Sequence, residues 1–307
     1  MVPIRTRLLA AVLAVVAVVA SGCGSDSGGA PATVSGKLAV VTTTPVITDF
    51  TRNIGGDRVE IYSVLKPNLD PHDYEPTPAD LAAIANADVV VENGVGLEKW
   101  FHDTIASAEP KGTIVDASTG VTIRHADDGD GGDPHIWQNP RNAKIMVANI
   151  ATALAAAAPA DSATFEQHAA DYTAELDTLD ADVARQIDTL TNKKLVTNHD
   201  AFGYYVDRYG LQFVGAVIPS FDSQAELSQQ DINDLVTAVK AQGVKAIFSE
   251  SSLPPKTAEA IAAEAGVKVV EGADALYGDS LGPEGSDAAT YIAMVEHNTK
   301  VIVDNLG

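Results

Sequence analysis

Cysteine occurs once in the 307 residues, at Cys23, so no disulfide can form within one molecule. Basic side chains are scarce, with 20 Lys and Arg against 42 Asp and Glu. A surface of that sign repels nucleic acid and anionic lipid head groups and draws in cations, so nucleic acid is not an expected partner. The uninterrupted apolar run Leu8 to Ala20 falls short of the roughly 20 residues that a membrane-spanning helix needs. No HExxH helix occurs, which removes the usual signature of a secreted zinc hydrolase.

What is present begins with "MVPIRTRLLAAVLAVVAVVASGCGS", in which Arg5 and Arg7 precede the apolar run and small residues precede Cys23. That order reads as a secretory signal over residues 1–22. It resembles a bacterial lipoprotein signal, in which the cysteine becomes the lipidated N-terminus. The reading therefore places the protein outside the cell, lipid-anchored through Cys23 to the outer face of the cytoplasmic membrane. Residues 23–36 are rich in Gly, Ser, Ala and Pro, a composition that serves as a tether rather than a core. Loss of the leader removes two arginines and no acid, leaving 18 basic against 42 acidic side chains.

Folded sequence is expected from Lys37. "KLAVVTTTPVITDFTRNIGGDRVEIYSVLKP" and "KLVTNHDAFGYYVDRYGLQFVGAVIPS", from Lys37 and Lys194, share one pattern of strand, helix ending at glycine, and strand. "DLAAIANADVVVENG" and "DLVTAVKAQGVKAIFSES" each read as a helix and then a strand ending on an acid, Glu92 or Glu250. Alternation of this kind predicts an α/β fold with parallel sheets and right-handed crossovers. Two similar lobes are expected, over 37–158 and 193–307. The stretch 159–192 between them is predicted to be one long, rigid linking helix, since Phe165, Tyr172, Leu176, Leu179, Val183 and Ile187 recur at helical spacing with Pro159 at its start.

Seven histidines are present. His102, His168 and His297 lie in helical contexts and read as surface or partly packed side chains. His125 opens the acidic, glycine-containing loop "HADDGDGGD", where it could gather ions loosely. The other three differ. His72 sits in the proline-stiffened "LDPHDYEPTPADL", His135 in "GDPHIWQNP", and His199 directly after "KKLVTN". Asp279 in "ALYGDSLG" follows another strand. The carboxyl ends of strands in open parallel sheets border the ligand crevice, so these four fall on one edge. Three imidazoles and a carboxylate suit a borderline-soft divalent ion. His72 and His135 share the tripeptide Asp-Pro-His, and the aspartate in each is a candidate acceptor for the remaining ring N–H.

"PHDYEPTPADL", "DPHIWQNPRNA", "TNHDAFGYY", "FSESSLPPKTAEAIAAEAG" and "LYGDSLG", in that order after the leader, resemble the zinc and manganese solute-binding lipoproteins of ABC importers. The resemblance covers the chain from Lys37 to Leu306. It implies two lobes joined by one long helix, a single buried divalent metal, action as a monomer, and delivery of the ion to the membrane subunits of an ABC permease. By motif matching it implies His72 and His135 as ligands from the first lobe and His199 and Asp279 from the second. Glu250 would orient a ligand histidine, and Glu92 would support the turn "NGVGLEKW". Manganese-type members of this kind tend to carry glutamate where this chain has His199, so Zn2+ is expected first and Mn2+ second, a nitrogen-rich site favouring zinc. The short, histidine-poor loop 125–133 leaves room for manganese or iron. The competing readings are a secreted zinc-dependent hydrolase and a lipid-anchored adhesin with a structural metal. A hydrolase needs an open coordination position, which four protein ligands would fill.

Overall fold

The computed structural model describes residues 36–125 and 131–307. The expected signal, tether and Cys23, and the acids of the loop at 126–130, lie outside them. In the first lobe, β-branched segments form β1 (Leu38–Thr42), β2 (Val59–Ser63), β3 (Val89–Glu92) and β4 (Thr113–Asp116), all parallel in the order β2-β1-β3-β4. Helices α1 (Pro45–Gly55), α2 (Pro78–Asn86), α3 (Phe101–Ala108) and α4 (Pro140–Ala157) make the crossovers and flank the sheet. Three of these open on proline at the first turn, where its missing N–H costs nothing, behind the caps Thr44, Thr77 and Asn139.

The second lobe comprises β5 (Lys194–His199), α6 (Gly203–Tyr209), β6 (Gln212–Ile218), α7 (Gln229–Gln242), β7 (Ala246–Phe248), α8 (Lys256–Ala265), β8 (Lys268–Val270) and α9 (Tyr291–Leu306), with α5 (Ser162–Asp188) before it. The strands are parallel, but they form two pairs, β5-β6 and β7-β8, rather than one laddered sheet. Strands β7 and β8 have three residues each. The paired patterns noticed in the sequence correspond to β1-α1-β2 with β5-α6-β6, and to α2-β3 with α7-β7.

Helix α5 has 27 residues, about 40 Å at 1.5 Å per residue. Phe165, Tyr172, Leu176, Leu179, Val183 and Ile187 are all buried along one face. Pro159 does not begin this helix. It opens a separate 3-10 turn, Pro159–Asp161, and Ser162 is the first α-helical residue. The helix packs on α1 and α4 of the first lobe and on α6 and α9 of the second. One hydrophobic cluster accordingly runs from Val40 and Phe50 through α5 to Leu195, Phe248 and Tyr291. Polar ties reinforce the junction: Asp49 Oδ2 on α1 accepts from Tyr172 Oη at 3.3 Å and from the amide of Tyr291 at 3.0 Å.

A second tie lies at Asp180 on α5. Its carboxylate accepts from Arg208 at 2.8 and 2.5 Å, Tyr209 Oη at 3.1 Å and Arg141 Nε at 3.2 Å. Burial alone would raise its pKa, but these donors outweigh burial and hold it below the usual carboxylate range. Hydrogen bonds to charged groups contribute about 1.5–3 kcal/mol. Asp180→Ala is therefore expected to destabilise the fold by about 2 kcal/mol in denaturant titration at neutral pH. The loss should shrink as the pH drops through the depressed carboxylate pKa and the wild type loses the same interaction.

Candidate metal centre

Each of the four residues singled out above sits at the carboxyl end of a strand or in the loop beyond one. His199 is the last residue of β5, His72 follows β2, Asp279 follows β8, and His135 precedes the 3-10 turn Ile136–Gln138. One ligand-type atom from each lies within 4.8 Å of the others. His135, His199 and Asp279 have side chains with no solvent exposure, and that of His72 is 2 % exposed. His135 Nε2 and His199 Nε2 stand 3.3 Å apart. Each is 3.2 Å from an Asp279 oxygen, and His72 Nε2 is 3.6 Å from that carboxylate. The contacts to Asp279 lack hydrogen-bond alignment, so both its oxygens and both ring nitrogens of His72 are buried without a partner.

The outer nitrogens define what faces inward. His135 Nδ1 lies 2.8 Å from Asp133 Oδ1, and His199 Nδ1 lies 2.8 Å from Glu250 Oε1. A carboxylate only accepts, so each Nδ1 carries the proton and each Nε2 presents a lone pair. Two lone pairs and a carboxylate thus confront one another in a dry pocket, an arrangement that is repulsive unless a cation separates them. Ligands at about 2.1 Å from a tetrahedral ion lie about 3.4 Å from one another, close to the distances among His135, His199 and Asp279, while the full set of four lies within 4.8 Å.

The same electrostatics set the proton affinities of the cluster. Burial disfavours the His135 imidazolium, but Asp279 and Asp133 outweigh it and hold its pKa up at about 9. His199 is likewise raised well above its ordinary value, burial being overcome by Glu250 and Asp279. Asp279 is held well below the carboxylate range because the two imidazoles outweigh its burial. His72 behaves differently, burial pushing it below its ordinary value despite Asp279.

The loops are held by their own sequence. Thr77 and Asp80 form a capping box at α2, with Asp80 Oδ2 accepting from the Thr77 amide at 2.7 Å. The same carboxylate accepts from Tyr74 Oη and Tyr62 Oη at 2.8 Å, and Trp100 Nε1 donates to Pro71 O at 3.1 Å. His72 is thereby fixed on both sides. Across the cleft, Gly278 O accepts from Trp137 Nε1 at 3.2 Å and Gln138 Nε2 at 2.7 Å, which seats the segment after His135 against the one bearing Asp279. Gly278 has no substitute here, since a Cβ would stand 1.9 Å from Glu250 Oε2.

The two Asp-Pro-His tripeptides act differently. Asp133 takes both the amide and the ring N–H of His135, as the sequence suggested. Asp70 takes only the amide of His72, at 2.9 Å. Its other oxygen accepts from Ser223 Oγ at 2.5 Å and Gln224 Nε2 at 3.1 Å in the second lobe. A further correction concerns the turn after β3. Glu98, not Glu92, supports it, accepting from the Asn93 amide at 2.8 Å and Thr43 Oγ1 at 2.5 Å. Glu92 is raised to about 7 by burial and by Glu98 and Asp116.

The other histidines stay apart from the cluster. His102 is exposed, His168 Nδ1 faces Ile54 O at 2.9 Å, His297 Nε2 faces Ala275 O at 3.0 Å, and exposed His125 faces Gly131 O at 3.1 Å. Sequence reasoning overlooked Arg124, which donates to Asp133 Oδ2 at 2.5 Å and to Asp207 Oδ2 at 2.7 Å. It ties the His135 partner to α6, and it passes so close to Gly203 that a Cβ there would meet its guanidinium at 1.6 Å. The local pattern "TIRHAD" gives no hint of this, because Asp207 is 83 residues away.

Residues 40–305 match the family model described as zinc-uptake complex component A, periplasmic. The chain belongs to this family. It is 30 % identical over 281 residues to the iron-binding protein YfeA of Yersinia pestis, covering 90 % of this chain and 89 % of that one. It is also 30 % identical over 311 residues to the manganese ABC transporter substrate-binding lipoprotein PsaA of Streptococcus anginosus, covering 97 % of each. The solved structure of the periplasmic zinc-binding protein TroA from Treponema pallidum superposes with a TM-score of 0.84 at 30 % identity, covering 89 % of this chain and all of the other. Relatives named for iron, manganese and zinc thus stand at the same identity. Overall likeness does not choose among metals, and the donor atoms must.

The raised pKa of His135 has a definite sign for stability. It contributes fully below the unfolded histidine value near 6.5 and is lost as pH rises through about 9. Raised Glu92 acts in the same direction between its unfolded value and about 7. Chelator-treated protein is therefore expected to be less stable to denaturant at pH 9 than at pH 6, with a smaller difference in His135→Gln. Equal stability at both pH values would contradict the electrostatics described.

Proposed function

We propose that this chain is the extracytoplasmic receptor of an ABC importer, capturing a divalent metal, zinc first and manganese second, between two lobes and delivering it to the membrane permease. The observation that carries the reading is the convergence of two inward lone pairs and the Asp279 carboxylate at 3.2–3.3 Å, with family membership beside it. His72, His135, His199 and Asp279 are the proposed ligands. Asp133 and Glu250 hold the tautomers of His135 and His199. Three nitrogens and one oxygen favour zinc over manganese, whose harder character suits a site richer in carboxylate.

The proposed division is a first lobe at 37–158, a linking segment at 159–192 and a second lobe at 193–307, acting as a monomer. A cleft of about 620 Å³ reaches His72 between Lys99, Pro134, Pro219 and Asp222 and supports entry of the ion from that side. The acidic surface raises the local concentration of cations there. Lipidation at Cys23 would hold the receptor beside its permease on the outer face of the cytoplasmic membrane. No helix among the described residues is long and apolar enough to cross a membrane. A hydrophobic core continuous through α5 resists bending between lobes, so capture and release act through the ligand-bearing loops.

Elemental analysis of protein purified without chelator, followed by zinc and manganese competition, tests the reading. One equivalent of zinc is expected, and His135→Ala should weaken binding by more than the about 10–100-fold typical of losing an outer partner, whereas His168→Ala should leave it unchanged. Because the carboxylates around His135 and His199 raise the proton affinity of both rings, zinc competes with protons for the same nitrogens. Its apparent affinity is expected to rise from pH 6 to 8.5 by about tenfold per unit for each proton released. A sample that takes up no transition ion, or an affinity flat over that range, would overturn the assignment.

A further inference from the structure

Two of the three histidines have a carboxylate at 2.8 Å on the outer nitrogen, and the third does not. His72 Nδ1 is buried and unpartnered. The carboxylate nearest to it is Asp222 Oδ1 at 3.9 Å, too far for a hydrogen bond. Asp222 lies past the end of β6 in the second lobe, while His72 lies past the end of β2 in the first, so the two occupy matching places in the repeated pattern. Asp222 is turned outward by Lys99, whose Nζ stands 2.5 Å from Oδ2. That lysine is 62 % exposed along its side chain, and Asp222 is 28 % exposed. Both residues, like His72, line the cleft that opens to solvent, so the space for a shift of about 1 Å is present. The neighbours Ser223 and Gln224 already clasp Asp70, two residues before His72.

We infer that Asp222 is the positioning residue for His72, closing onto Nδ1–H when a metal binds Nε2, with Lys99 as its competitor. The inference rests on the metal-receptor reading. An imidazole that binds metal through Nε2 keeps its proton on Nδ1, and an acceptor there fixes the ring and raises its basicity. His135 and His199 receive theirs from Asp133, on the same lobe as His135, and from Glu250, on the same lobe as His199. For His72 the acceptor comes from the opposite lobe. Closing that hydrogen bond would therefore link ligation by the outermost histidine to engagement of the two lobes across the cleft. Lys99 sets how readily this happens, because its ammonium holds the same carboxylate from the solvent side.

The test uses purified protein and zinc in chelator competition. Asp222→Ala is expected to weaken zinc about 10–100-fold, and Lys99→Gln to strengthen it by releasing the carboxylate. In a His72→Ala background, Asp222→Ala should have little further effect. Nitrogen-15 labelling of histidine supplies a readout independent of affinity. Zinc-loaded wild type should show a hydrogen-bonded Nδ1–H on His72 that disappears in Asp222→Ala, while the signals of His135 and His199 persist. Unchanged affinity in Asp222→Ala, an equal loss in the His72→Ala background, or an unaltered His72 signal would each overturn the inference. Zinc binding by wild type tests the receptor reading separately, since only the differences on substitution address Asp222.

Discussion

Confrontation of like electron density at the lobe junction is the constraint on which the rest of the structure depends. Nε2 of His135 faces Nε2 of His199, and both face Asp279, with almost no water to spread the charge. Buried away from solvent screening, such a cluster is tolerated only while its charges balance. It persists because everything around it is fixed: Asp133 and Glu250 hold the outer nitrogens, Gly278 O is clasped by Trp137 and Gln138, and a shared hydrophobic core lies behind. The scaffold holds together, out of water, polar groups that a looser structure would let separate.

The choice of these side chains and the rigidity of the scaffold are therefore two parts of one arrangement. Flexible side chains would relax away from so close an approach. Here the capping box at Thr77 and Asp80, and the tyrosines that converge on it, limit how far His72 can retreat. Asp180 and Asp49 restrain the helices beneath. His72 nevertheless has the least confined environment of the four, with no partner on its ring and a solvent-reaching cleft at its side.

Much of this was legible in the chain itself. The α/β class and the long helix followed from alternating β-branched and amphipathic segments, whose buried faces fall on the residues named from periodicity alone. The four convergent residues stood out because each follows a strand or lies in a proline-stiffened loop. What escaped was set by tertiary packing. Glu98 holds the turn that the sequence pattern assigns to Glu92, because the β3 terminus pairs Glu92 with Asp116 on the neighbouring strand. The second Asp-Pro-His behaves as its pattern suggested and the first does not, because Ser223 and Gln224 from a distant loop capture Asp70. The pairings of Arg124 with Asp207 and of Asp222 with His72 carry no local signal, their members lying far apart in sequence.

Gly278 joins the two sides of the cleft at one peptide unit. Its carbonyl receives both donors of the facing lobe, its Cα lies against the carboxylate that steadies His199, and the next residue is Asp279. A single peptide unit therefore registers whether the two halves are seated. Prising the Trp137 turn away would strip that oxygen of its donors and unsettle Asp279 in the same motion, so that a local loosening of this one turn is felt at once by the neighbouring carboxylate.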